Sequence, residues 1–436
     1  MRRHLLSLAT GSAALLAGCA DNPTPTAPIT RPELTASASV TSVTEPTTGL
    51  WARVVEGETG PGSLYAIFVP RSWNGDVVYY AHGIRPPLDP ITLGGVTQTG
   101  TPEERGQDKF FDLRDALGAK GYAFVYSSFS ENGFAVKDAA QRTHQLRGLV
   151  EAQLPTRPTR NFLAGYSMGA LVAINLAERF PGQYNGVLAA CGMIGGSALE
   201  LQYIGDVRAL FDAIYGASIL PGGPATAPEV PLSLAELQGR VIAAVSANPM
   251  GLFVIASTAQ TPLAYAPIGT ITDPRSIAFQ SLMRSLIVAL YYHQIGISDV
   301  LDRTHGHSPY DNTGRTFTLG TSVLPIPAAV MAGLIAQADA GVARFEMTPD
   351  ARNYLEQHYT PTGRLQVPVV TIHNRWDYLV PAFHEDAFAA AVNAAGASDM
   401  LWQWRAADGK IGVPNYGHCD NIPVALLMGA FDRLAG

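Results

Sequence analysis

Apolar residues along this chain fall in short runs whose spacing changes as the chain proceeds. Residues 50–56, 63–69 and 76–81 carry strand-like runs. The turn-rich segments Gly60-Pro61-Gly62 and Arg71-Ser72-Trp73-Asn74-Gly75 separate them. Helical spacing follows over 108–120 and stops at Gly121, a C-cap signal. Then come a strand at 122–127, a helix at 135–154, the apolar run Phe162-Leu163-Ala164, a helix at 170–178 and a strand at 186–190. Helix and strand in alternation predict an α/β fold, a mostly parallel sheet with helices on both faces.

From about 195 to 366 the alternation stops. Helical patterns occur at 199–215, 232–247, 276–292, 328–340 and 348–359, with a polar, turn-rich segment at 302–320. Alternation resumes with a strand at 367–373, a helix at 382–395, a strand at 400–405 and a closing helix at 422–434. The pattern predicts one α/β core built from 49–194 and 367–436. Residues 195–366 are read as a helical cap inserted between two strands of one sheet, not as an independent domain.

Composition narrows the class. With 436 residues, 47% hydrophobic and 15% charged, the chain has ample material for a large core. A net charge of −7 and the lack of a basic patch or stacking motif argue against nucleic acid as a partner. At the N-terminus, Arg2 and Arg3 precede an apolar stretch at 5–16 that is too short to span a bilayer. It ends in Leu16-Ala17-Gly18-Cys19, which resembles the bacterial lipobox. That resemblance implies a signal segment over 1–19, acylation of Cys19, and membrane attachment in the cell envelope. Ala20 in place of Asp implies the outer membrane if the host is Gram-negative. An ordinary cleaved secretion signal is the other reading. Residues 20–48, rich in Pro, Thr, Ser and Ala, offer little to bury and are expected to be a disordered tether.

The chemistry centres on Gly165-Tyr166-Ser167-Met168-Gly169, where a strand runs straight into a helix. A nucleophile elbow requires this arrangement: a cramped turn, glycine on both sides, and a serine at the helix N-terminus, where unpaired amides favour negative charge. A serine hydroxyl needs a base held by a carboxylate. Asp377 lies just past the strand at 367–373 and is followed by Val380-Pro381; Glu385 and Asp386, within the next helix, are weaker rivals. His418, in Asn415-Tyr416-Gly417-His418-Cys419-Asp420, fills the loop before the closing helix. The Met168 amide is expected to bind the oxyanion, joined by the amide of Ile84, or second by that of Gly83, in Ala81-His82-Gly83-Ile84. His305 and His307 lack a nearby ligand set, and no phosphate loop or dinucleotide fingerprint occurs, so neither metal nor cofactor is expected.

Taken together, the HG, GYSMG, D-x-x-V-P and GH segments resemble the α/β-hydrolase superfamily over 50–192 and 367–436. The resemblance implies ester hydrolysis by Ser167, His418 and Asp377 through an acyl-enzyme, on a small or polymeric ester. A serine peptidase of the same fold is the runner-up, and an acyltransferase stands third. The cap is larger than in simple lipases or cutinases. In this fold Cys191 and Cys419 both fall at the carboxyl edge of the sheet. A cysteine directly after the histidine is similar to the tannase/feruloyl-esterase branch, where a disulfide ties the histidine loop beside the serine. Here Tyr166, not Cys, precedes Ser167. The resemblance implies a Cys191–Cys419 bridge, with two separate buried thiols as the alternative.

Overall fold

A computed structural model describes residues 39–46, 49–60, 62–93, 109–406, 416–419 and 422–436. The signal segment, Cys19 and most of the expected tether lie outside the described residues. Within the stretch expected to be tether, however, Ser39–Thr44 forms strand β1. It pairs antiparallel with β2, Trp51–Glu58. Its alternating Ser, Val and Thr suit an edge strand, which needs little apolar burial.

The remaining strands are β3 (Leu64–Pro70), β4 (Asp76–Ala81), β5 (Ala123–Ser127), β6 (Arg160–Tyr166), β7 (Gly186–Ala190), β8 (Val369–His373) and β9 (Leu401–Arg405). They form one nine-stranded sheet in the order β1-β2-β3-β5-β4-β6-β7-β8-β9. The β1, β2, β3 and β5 neighbours pair antiparallel; from β5 through β4 to β9 every pair is parallel. Strand alternation sends successive side chains to opposite faces. Val77, Tyr79, Leu163, Val187 and Ala189 enter one core, and Val78, Tyr80, Phe162, Leu188 and Ala190 the other. Helices α1 (Lys109–Ala119) and α11 (Val424–Ala435) cover the second face through Leu113, Leu117, Leu427 and Phe431. Helices α2 (Val136–Gln153) and α3 (Met168–Arg179) cover the first. This is the α/β-hydrolase fold.

Between β7 and β8 lie α4 (Ser197–Tyr215), α5 (Leu234–Ala247), α6 (Pro249–Ser257), α7 (Ile277–Arg303), α8 (Ala328–Gly341) and α9 (Pro349–Tyr359). After β8, α10 (Phe383–Ala394) returns the chain to β9. Helix α6 escapes the periodicity because it is apolar on every side, and burial over 251–257 explains why. Helix α7 continues past its expected end to Arg303, whose guanidinium binds Asp299 one turn back at 2.9 Å. The cap helices share one continuous apolar cluster with the first face of the sheet. The sheet and these helices belong to one compact unit, Ser37–Gly436.

Candidate active site

The turn between β6 and α3 sets the position of everything else. Ser167 adopts φ 55° and ψ −123°, a sparsely populated backbone region for a residue with a side chain. A Cβ on Gly165 would overlap the Gly169 carbonyl, and one on Gly169 would overlap the Ala81 carbonyl of β4. Only glycine fits either place. The Ser167 amide is held at 3.0 Å by the Ala190 carbonyl of β7, and the residue is 8% exposed.

His418 and Asp377 arrive from loops at the carboxyl ends of the neighbouring strands. His418 Nε2 lies 2.9 Å from Ser167 Oγ, and His418 Nδ1 lies 2.9 Å and 3.1 Å from Asp377 Oδ2 and Oδ1. Asp377 Oδ1 also accepts the amides of Leu379 and Val380, each at 2.9 Å. A carboxylate only accepts. The proton of a neutral His418 therefore sits on Nδ1, and Nε2 is bare and able to accept from the serine hydroxyl. Glu385 and Asp386 do not reach His418. Glu385 is buried against Thr371 and Gln403, and Asp386 faces Arg405 from the surface.

Four ties fix the histidine loop. The Asn374 side-chain amide donates to the Gly417 carbonyl at 2.7 Å, and the Gly417 amide donates to the Trp376 carbonyl at 3.1 Å. The Tyr416 hydroxyl donates to the Ser281 carbonyl of α7 at 2.8 Å, so a cap helix grips the residue two before His418. Cys191, just past β7, and Cys419 are joined by a disulfide with Cα atoms 5.5 Å apart. Both half-cystines have positive φ, 45° and 62°, which only a constrained loop retains.

The expected oxyanion residues surround the serine. A Cβ on Gly83 would stand 3.2 Å from Ser167 Cβ, so its backbone passes directly beside the hydroxyl-bearing carbon. Ile84 and Met168 line a narrow cavity with Ser167, walled further by Phe134, Met193 and Leu379. His82, the residue before Gly83, is buried and stacked on Phe129, and burial pushes it down to about 3. Two arginines of the cap are engaged by their neighbours: Arg284 lies over the Tyr378 ring, and Arg303 binds Glu131 and Asp299. His307 sits 3.5 Å from Asp350 at the surface, and among the described residues no three His, Cys, Asp or Glu side chains form a metal-sized group.

His373, which reads from the sequence as an interior histidine at the end of a strand, is buried at the end of β8, but the polar layer it belongs to beneath the site was not foreseen. His373 lies 3.7 Å behind Asp377 and 3.5 Å from Glu385, with Nε2 donating to the Val380 carbonyl at 2.9 Å. Burial alone would lower its pKa; the Glu385 carboxyl and the Asp377 charge outweigh that and raise it. Beside it, Glu200 of α4 meets His384 of α10 at 2.9 Å and reaches the cavity wall. The only signal was a Glu and a His inside helical patterns, which looks like any solvated helix face.

Residues 123–238, from β5 into α5 and spanning the elbow, match the family model Esterase, described as "Putative esterase". No curated protein sequence matches the chain. Among solved structures, the rice cell wall degrading esterase LipA from Xanthomonas oryzae is 14% identical with a TM-score of 0.41, over 92% of this chain and 97% of that one. Feruloyl esterase B from Aspergillus oryzae is 12% identical with a TM-score of 0.43, over 88% and 80%. Candida Antarctica lipase A is 14% identical with a TM-score of 0.38, over 84% and 72%. The sheet topology is that of the α/β-hydrolase fold, and the segment 123–238 within it is similar to the Esterase family model.

Proposed function

We propose that this α/β-hydrolase is a serine carboxylic-ester hydrolase working through an acyl-enzyme. One observation carries the reading: Ser167 Oγ, His418 and Asp377 form a continuous chain of contacts near 2.9 Å, with the tautomer that lets His418 act as base. Ser167 attacks the ester carbonyl while His418 Nε2 takes its proton. The same nitrogen returns that proton to the departing alcohol, and Asp377 stabilises the imidazolium between the two steps. The amides of Met168 and Ile84, with Gly83 as the second candidate, receive the oxyanion. Water activated by His418 then releases the acid. Ser167→Ala should lower kcat for p-nitrophenyl esters by roughly 10⁶-fold and abolish fluorophosphonate labelling, without changing the melting curve. Near wild-type turnover by that variant would refute the reading.

We also propose that the protein is held in the cell envelope by a lipid on Cys19, on the strength of the Leu16-Ala17-Gly18-Cys19 segment behind an apolar stretch. Metabolic labelling with a palmitate analogue should tag the full chain and fail in Cys19→Ala. Equal labelling of both would overturn the anchor.

A further inference from the structure

Glu200 stands in the first turn of α4, 3% exposed, on the wall of the cavity that holds Ser167. Apart from Ser167, Tyr292 and Glu200 itself, that wall is apolar. Its partner is defined by hydrogen bonding. The Gly195 amide donates to His384 Nδ1 at 3.1 Å, so that nitrogen carries no proton. A Cβ on Gly195 would lie only 3.0 Å from Nδ1, so a small residue there lets the amide approach. The proton of the ring is therefore on Nε2, which donates to Glu200 Oε2 at 2.9 Å. Among the described residues this is the one hydrogen bond of the Glu200 side chain, and Oε1 is left out of it.

A carboxyl withdrawn from water and faced by a neutral imidazole is stable as the acid. Burial, then the charge of Asp377, pushes the Glu200 carboxyl well above the usual range, against the pull of His418 and His373. Burial holds His384 down to about 3. In this state Oε2 accepts from His384, and the Oε1 hydroxyl is a donor in need of an acceptor.

We propose that Glu200 is a specificity-determining residue whose Oε1 donates a hydrogen bond to an oxygen carried by the substrate next to its scissile ester. Preferred substrates are then esters with a hydroxyl, ether or carbonyl oxygen in the group that fills this cavity, rather than plain aliphatic ones. The inference rests on Ser167 being an ester nucleophile. A site built to hydrogen-bond an oxygen rejects the analogue lacking it, because the buried group is then left unpaired.

The test is kcat/KM of the full chain on two matched pairs. Butyrate and 3-hydroxybutyrate p-nitrophenyl esters probe the acyl side; ethyl and 2-hydroxyethyl butyrate probe the alcohol side. The wild type should favour the oxygenated member of one pair by about tenfold or more. Glu200→Gln, which keeps an acceptor for His384 and a donor for the substrate, should hold that ratio within about threefold. Glu200→Leu should bring it to about one. If the leucine variant does not fold, Glu200→Met supplies the apolar replacement. A wild type with no preference in either pair overturns the proposal, as does a preference that survives the apolar variant. Loss of preference in the glutamine variant as well as the leucine variant also overturns it, since that outcome requires a charged carboxylate. Fluorophosphonate labelling of Ser167 is read in every sample. A wild type that neither labels nor turns over any of the four esters fails as an esterase, a result distinct from an active enzyme indifferent to Glu200.

Discussion

The backbone amides of Leu379 and Val380 do as much at the site as any side chain. Both donate to Asp377 Oδ1, so that oxygen must remain an acceptor. In Asp377→Asn the amide oxygen would take this place and turn the NH₂ group toward His418 Nδ1. The imidazole would then carry its proton on Nε2, the wrong nitrogen to accept from Ser167. The fold should persist while kcat on esters falls by roughly 10⁴-fold at neutral pH. A loss below tenfold would mean that Asp377 does not set the tautomer. The same logic separates Asp377 from Glu385. Both are fully buried acids near β8, but only Asp377 lies in a loop free to meet His418, whereas Glu385 is held under the sheet by Thr371 and Gln403.

Among the elements, the histidine loop is the least regular part of the site and the most heavily tied. It is clamped to α7 through Tyr416, to the loop after β8 through Asn374, and to the end of β7 through Cys191–Cys419. The disulfide spans 228 positions in sequence, so it constrains the unfolded chain strongly as well as the loop. The double substitution Cys191→Ser/Cys419→Ser should cost about 2–5 kcal/mol of unfolding free energy in urea. It should also lower kcat more than it raises KM, because it frees the base and not the pocket. Peptide mapping should find both cysteines alkylated only after reduction. Alkylation of both in the unreduced protein would contradict the bridge.

Across the whole molecule, burial has set charged and neutral groups against each other. His82, His293 and His384 are each held down to about 3 by burial. An unfolded chain binds protons at these residues from near pH 6.5 downward, so each takes stability away as pH falls from about 6.5 to 3. Burial raises Asp206 and Asp212 to about 6 and Glu200 well above its usual range; these bind protons in the folded chain first and act in the opposite sense. The two sets oppose each other between about pH 6 and 4, and any one histidine can be isolated. His293 Nε2 of α7 donates to the Pro224 carbonyl at 3.1 Å, and among the described residues its Nδ1 has no hydrogen-bond partner. His293→Gln should be less stable than wild type at pH 7, and the deficit should shrink below pH 6.5 by up to about 1.4 kcal/mol per pH unit. Denaturant curves at pH 7, 6 and 5 would measure it, and a deficit that grows in acid would be the wrong sign.

By itself the sequence determined the strands and helices of the core and the motifs that its loops carry. Apolar periodicity reports how each segment must face a core, and glycine spacing reports where the backbone is cramped, as at Gly165 and Gly169. It misjudged β1, an edge strand with little to bury; α6, apolar all round; and the end of α7, held by an ion pair within its last turn. Only the tertiary structure decided which acid faces His418, that Cys191 meets Cys419, and that Glu200, His373, His384 and Glu385 share one buried polar layer. Those outcomes depend on contacts between residues far apart in the chain, and on a desolvation that exists only once the cap and the sheet have closed over them.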